Sequence, residues 1–319
     1  MYKNEPIFLQ PVFQERIWGG QKLQTEFGYD IPAEQTGEAW VISAHSHGPS
    51  IIANGPLAGK SLADLWHEHG ELFNKASDNQ EEYPLLVKIL DAADHLSVQV
   101  HPNDQFAREA EKVPYGKTEC WYVLSAEEDA ELVLGHHAQS HAELEQMIDK
   151  GEWDKLLRRV KVKAGDFVYV PSGTIHAIGK GIMILETQQS SDITYRVYDY
   201  DRTDASGNKR ELHLERAKQV TTVPHKDAKI EPKEMVLGDL VEIKLVEEQY
   251  FTVYHWQLSG KASCELKEDF LQVSVIKGKA TIRIDGNSFS VEKGNHFLLP
   301  YGVGEYVLEG EGEFIVSHV

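Results

Sequence analysis

VKAGDFVYVPSGTIHAI, residues 162–178, spaces Gly165, Pro171 and Gly173 as G-x5-P-x-G, and VEKGNHFLLPYGVGEYVL, residues 291–308, repeats that frame at Gly294, Pro300 and Gly302. Such spacing suits a turn, a strand that ends at a proline, and a second tight turn. A frame met twice predicts two similar β units in one chain. The copies differ where chemistry would sit. Three residues past the second glycine, the first copy has His176 and the second has Glu305. Upstream, ECWYVL (119–124) corresponds to LQVSVI (271–276), so the carboxylate of Glu119 gives way to Leu271. One unit is expected to carry a site and the other only the shape.

The text around the frames agrees. AWVISA (39–44), LLVKIL (85–90), LSVQVH (96–101), CWYVLS (120–125), AELVLG (130–135) and IMILETQ (182–188) are short, apolar or alternating, and separated by Gly, Pro and Asp. Many short strands with regular turn signals indicate a sandwich or barrel. Two helices are expected to interrupt them, at 61–73 behind Ser61 and at 140–160, where Ser140 and Glu143 have capping-box spacing and Gly151 divides the run. A polar stretch with two prolines, VTTVPHKDAKIEPKEM (220–235), reads as a linker. The expected division is a catalytic unit over 1–231 and a second β unit over 232–319.

Bulk composition narrows the partners. The 319 residues are 41% hydrophobic and 26% charged, as in ordinary globular proteins, and the net charge of −19 disfavours nucleic acid and anionic membrane surfaces. An anionic ligand would need its own local cluster of Lys and Arg. The start MYKNEPIFLQPVF lacks a basic and apolar leader, no stretch is long and apolar enough to span a bilayer, and two cysteines are too few for a disulfide framework. A cytoplasmic location is expected.

Within SVQVHPND (97–104), Ser97, Gln99 and His101 share one face of an extended chain, opposite Val98 and Val100. Gln99 and His101, with Glu119, a carboxylate opening an apolar strand, and His176, form a candidate metal set. Two imidazoles, a carboxylate and an amide oxygen suit a borderline ion such as zinc and leave room for a water or substrate. Taken singly, His45, His47, His67, His69, His136, His137, His141 and His213 read as ordinary polar residues. Cys120 should point away from Glu119, into the core.

The frame from Gly165 to His176 resembles the second cupin motif. SVQVHPND, GKTECWYVL (116–124), ERIWGG (15–20) and GEAW (37–40) resemble, in the same order, segments of type I mannose-6-phosphate isomerases. The resemblance covers nearly the whole chain. It implies a mainly β fold of two cupin (jelly-roll) β-barrels with a small helical insertion. It also implies one zinc ion per chain, held by Gln99, His101, Glu119 and His176. Gln99 stands where the wider superfamily has a first histidine, which favours Lewis-acid over redox chemistry.

By the same resemblance Arg196 is an active-site residue with Asp192 close by, and Arg202 is a phosphate contact through a loosely aligned segment. Lys117 shares the strand face of Glu119. Ser97, Trp18 and Glu38 are expected to line the pocket, and Trp40 to belong to the core. The reaction so implied is metal-dependent interconversion of D-mannose 6-phosphate and D-fructose 6-phosphate through a cis-enediol. A metal-dependent cupin dioxygenase and a non-catalytic sugar-binding bicupin are the alternatives. The base stays open among metal-activated water, Asp192, Glu38 and a histidine outside the ligand set. The oligomeric state is not legible.

Overall fold

The structure, a computed structural model, describes residues 4–76, 79–204 and 206–319. It is mainly β, with three sheets of nine, six and five strands among the described residues. The six-stranded sheet runs, edge to edge, through Phe167–Val170, Glu119–Ala126, Ile182–Gln189, Leu85–Ala92, Thr36–Ser43 and Val12–Gly20. The five-stranded sheet runs through Tyr195–Tyr198, Val98–Val100, His176–Ala177, Glu131–His136 and Leu157–Lys161.

Three strands of the six-stranded sheet, Thr36–Ser43, Leu85–Ala92 and Ile182–Gln189, are buried along their whole length. Alternation sorts their side chains. Ala39, Val41, Val87, Ile89, Cys120, Met183 and Leu185 enter one core together with Trp66 and Phe270. Leu90, Trp121, Val123 and Ile184 point the other way, to a second core shared with Leu132 of the five-stranded sheet and with Ile178, just past its strand His176–Ala177. Glu38, Trp40, Lys88 and Glu186 share that second parity, so they too face the space between the sheets.

The expected repeat is present in the hydrogen bonding. Phe167–Val170 pairs with Glu119–Ala126 so that Val170 faces Glu119, and His296–Leu299 pairs with Leu271–Ile284 so that Leu299 faces Leu271. Gly165 (φ +90°) donates to Val123, and Gly294 (φ +91°) donates to Val275. A backbone in this region favours glycine, which is why the frame keeps its glycines. The ends of the strands correspond as well. His176 lies opposite Gln99, and Glu305 lies opposite Glu265. Ser97, Gln99 and His101 of the first unit therefore match Ser263, Glu265 and Lys267 of the second.

Two expectations change. The helix over 140–160 is a helix only at His141–Asp149 and a single turn at Trp153–Leu156. Gly151 (φ +64°) ends the first helix, and Leu157–Lys161 is an edge strand paired with Glu131–His136. Sheet pairing there overrides the helical preference of the leucines and arginines. The first strand, Ile7–Gln10, pairs with His296–Leu299, so the nine-stranded sheet crosses the expected 231/232 division. The helix Leu62–Glu68 does start at Ser61, with Asp64 completing the capping box.

ERIWGG and GEAW meet as neighbouring strands. A Cβ on Gly19 would lie 2.4 Å from the Gly37 nitrogen, and one on Gly37 would lie 2.7 Å from both Arg16 and Trp18 side-chain atoms. The two glycines thus let the strands approach closely enough to fix Arg16, Trp18 and Glu38. Gly19→Ala is expected to lower stability by about 1–3 kcal/mol through overpacking. A denaturant midpoint equal to that of the parent protein would show instead that the strands have room to part.

Candidate active site

A cleft of about 650 Å³ opens between the six- and five-stranded sheets. Its floor is a row of cross-strand neighbours. Trp40, Lys88, Glu186 and Trp121 stand opposite one another on successive strands. On the facing sheet a second row runs Arg196, Gln99, His176. Sheet register therefore places most of the site.

The metal candidates meet where the rows converge. Glu119 comes from the six-stranded sheet, and His101 and His176 come from the end of the five-stranded one. His101 Nε2 lies 3.4 Å from Glu119 Oε2, and His176 Nε2 lies 3.3 Å from Glu119 Oε1. All three are buried, and their ligand atoms lie within 4.8 Å of one another. The amide end of Gln99 is 3.4 Å from His176 Nε2, where a half-turn would present its oxygen. Each imidazole is oriented from behind. His101 Nδ1 donates to the Ile193 carbonyl at 2.7 Å, and His176 Nδ1 donates to the Thr174 carbonyl at 2.8 Å. That leaves both Nε2 lone pairs facing the carboxylate, the arrangement a metal ligand needs. Burial pushes the His176 pKa down to about 4, and burial with Lys117 pushes His101 well below its usual range, so both rings are neutral near pH 7. The donor set fits a divalent ion of the zinc type.

Charge in the cleft alternates from residue to residue. Arg16 grips Glu38 with two bonds of 3.1 and 3.2 Å, and Trp40 Nε1 donates to Glu38 at 2.6 Å. Lys88 sits 3.8 Å from both Glu38 and Glu186. Lys117 bridges Glu186 and Glu119, and Trp121 Nε1 donates to the same two carboxylates at 3.1 Å. A buried charge is tolerable only when paired in this way. Burial alone would raise Glu38, yet Lys88, Arg16 and the Trp40 N–H hold it down at about 2. Burial and the adjacent Glu119 carry Glu186 the other way, to about 7. Burial opposes the Lys117 charge, but Glu119 and Glu186 outweigh it and raise its pKa.

Arg196 differs from its neighbours. Its Nε donates to Ser97 Oγ at 3.3 Å and its Nη1 to the Glu211 carbonyl at 2.8 Å. Both acceptors are uncharged, and among the described residues it forms no ion pair. Its charge faces the cleft, with the Asp199 and Glu211 carboxylates acting on it only from beyond ion-pair distance. Arg210 lies beside it on the cleft wall, gripping Asp199.

Of the residues singled out in the sequence, Trp18, Glu38, Ser97, Gln99, Lys117, Glu119, His176, Asp192 and Arg196 line the cleft, and His101 stands at its metal end. Arg202 does not line it. Its guanidinium is turned to Asp199, Asp94 and the His95 carbonyl. Tyr200 and Asp201, both at φ +56°, reverse the chain just before Arg202. The arginine brought to the wall is Arg210. Trp40, expected in the core, is buried but lines the cleft. Arg16, Lys88, Glu186 and His47 were not foreseen there. Lys88 in LLVKIL and Glu186 in IMILETQ did carry a signal, a charge inside an apolar strand.

Because Glu38 falls from an ordinary carboxylate pKa near 4.5 to about 2 on folding, it favours the folded state above pH 4.5. That contribution, up to about 3 kcal/mol, is lost as the pH falls from about 4.5 to about 2. Glu38→Gln should therefore flatten the acid limb of the stability–pH curve in that window. An acid limb as steep as the parent's would contradict this.

Comparison with known proteins gives a consistent result. Residues 7–135 match the family model for the catalytic domain of phosphomannose isomerase type I, and residues 241–319 match that for the mannose-6-phosphate isomerase cupin domain. The chain is 51% identical over 316 residues to a mannose-6-phosphate isomerase of Bacillus subtilis, covering 99% of both chains. It is 51% identical to one from Streptococcus mutans, covering 98% of both. Among solved structures, a mannose 6-phosphate isomerase from Bacillus subtilis overlays with a TM-score of 0.95 at 48% identity, over 98% of this chain and 99% of that one.

Proposed function

This chain belongs to the type I phosphomannose isomerase family, and we propose that its cleft interconverts D-mannose 6-phosphate and D-fructose 6-phosphate, an aldose–ketose isomerisation, with a divalent ion of the zinc type at His101, Glu119, His176 and Gln99. The observation that carries this reading is the row Arg196, Gln99, His176. It sets an unpaired guanidinium and a metal-ligand set in one cleft, on adjoining strands. A phosphosugar needs both ends.

When bound, the ion would supply Lewis-acid stabilisation of the negative charge that develops on the sugar oxygens. The protein groups do the rest. Arg196 offers a planar fork to the phosphate, and Arg210 adds positive charge beside it. Ser97 holds Arg196 in place and, with Trp18, shapes the wall. Lys117, an ammonium between two carboxylates, can donate a proton to a sugar oxygen during ring opening. The isomerisation itself moves a proton between C1 and C2 through a cis-enediol and needs a base free to accept it. Glu38 is locked by Arg16 and Lys88, Glu186 lies between two lysines, and Glu119 belongs to the metal set. Asp192 at the mouth has no lysine or arginine partner among the described residues, and we assign it the proton transfer.

Mannose 6-phosphate turnover should vanish on chelation and return with added zinc. Glu119→Ala should lose ion and turnover together. Retained turnover in a metal-free sample would overturn the proposal. Arg196→Ala is expected to lose at least about 10²-fold in kcat/KM, the cost of an unheld phosphate. Arg202→Ala should stay within about threefold of the parent, since its guanidinium points away from the cleft. The opposite ranking of the two arginines would reverse their assignment.

A further inference from the structure

His45 and His47 leave the strand Thr36–Ser43 of one sheet, and Asp192 precedes the strand Tyr195–Tyr198 of the other. They meet at the mouth of the cleft. His47 Nδ1 lies 2.6 Å from Asp192 Oδ2, and His45 Nε2 lies 3.7 Å from Asp192 Oδ1. We propose that the two histidines are positioning residues that aim the Asp192 carboxylate into the cleft. The inference rests on the role given to Asp192 above.

The hydrogen bonding fixes which nitrogen carries each proton. The His47 backbone N–H donates to His45 Nδ1 at 3.2 Å, so the proton of a neutral His45 is on Nε2, the atom that faces Asp192. His47 presents Nδ1–H to the other carboxylate oxygen. Packing holds the rings. His45 stands edge-on to Trp40, with centroids 5.5 Å apart, and edge-on to His47 at 5.0 Å. The Ser43 hydroxyl accepts from the His45 backbone N–H at 3.2 Å. Asp192 is thus held by the His47 Nδ1–H, while the His45 Nε2–H faces its other oxygen from 3.7 Å, beyond hydrogen-bond reach, and His45 supports His47 through its ring and its Nδ1. A lysine or arginine partner would stabilise the carboxylate charge and weaken it as a base, as happens to Glu38.

The same three side chains also lie close enough together to hold a metal ion. The His45 bonding argues against that. An ion on Nε2 would move the ring proton to Nδ1, where the His47 N–H already points, and set two donors against each other. One tightly bound ion per chain is therefore expected.

The test uses the zinc-loaded protein and four variants, with kcat and KM for mannose 6-phosphate, bound zinc and thermal midpoint recorded for each. His47→Ala should lower kcat about tenfold to 10²-fold, the scale of a mis-aimed group, with KM within about threefold and one zinc retained. His47→Asn, whose amide can donate from near the position of Nδ1, should recover most of kcat. His45→Ala should fall the same way as His47→Ala. Asp192→Asn should fall furthest. His47 is well exposed, so the thermal midpoint should hold. If Asp192→Asn is inactive while His47→Ala and His45→Ala turn over normally, the positioning role is wrong and the assignment of Asp192 stands. If Asp192→Asn turns over normally, the assignment of Asp192 fails, and the positioning role with it. A second zinc equivalent, lost in His45→Ala, would replace the proposal with a metal site.

Discussion

Glu119 reaches from the six-stranded sheet to two imidazoles on the five-stranded one, and the cleft is arranged around that meeting. A carboxylate so deeply buried must find opposite charge or strong donors. Lys117 and Trp121 supply them, and each in turn reaches Glu186. Glu186 calls for Lys88, Lys88 for Glu38, and Glu38 for Arg16. One buried charge thus obliges an alternating series across five strands. The series costs desolvation at each member, and the sheet register is what makes each partner available at the right distance. Arg196 stands outside this accounting, which leaves its charge for a ligand.

The opposed environments of the cleft carboxylates follow from the same geometry. Glu38 has two cations and an indole N–H, and stays ionised to about pH 2. Glu186, raised by burial and then by Glu119, shares Lys117 with Glu119 and Lys88 with Glu38, and is carried to about 7. Two residues of one type, two strands apart in one sheet, therefore differ in charge behaviour through their partners alone.

Much of this was legible in the residues. Period-two alternation set Ser97, Gln99 and His101 on one face, and the repeated glycine–proline frame located His176 and marked Glu305 as its altered counterpart. Glu119 was visible as a carboxylate opening an apolar strand. What escaped depended on long-range register or local backbone reversal. Lys88 and Glu186 look like isolated charges until the strands pair. Arg202 sits within the right segment, but two left-handed residues turn it outward, and Arg210, with no pattern of its own, takes the wall. His45 and His47 read singly as ordinary polar residues, and only the approach of a loop from the other sheet gives them a partner. The end of the expected helix at 140–160 became a strand because an edge was available to pair with it.

The pairing of Ile7 with Leu298 joins residues 291 positions apart along the chain, and the strand Ile7–Gln10 also holds the short strand Ile51–Ile52. The nine-stranded sheet therefore joins strands that lie far apart along the chain. One edge of Ile7–Gln10 can pair early with Ile51–Ile52, but the other stays open until His296–Leu299 is in place. Closing so long a loop is slow, and an apolar strand held open meanwhile is exposed to the wrong partners. Strands so far apart along the chain share one sheet, so the protein is expected to gain its final stability late, and as a whole.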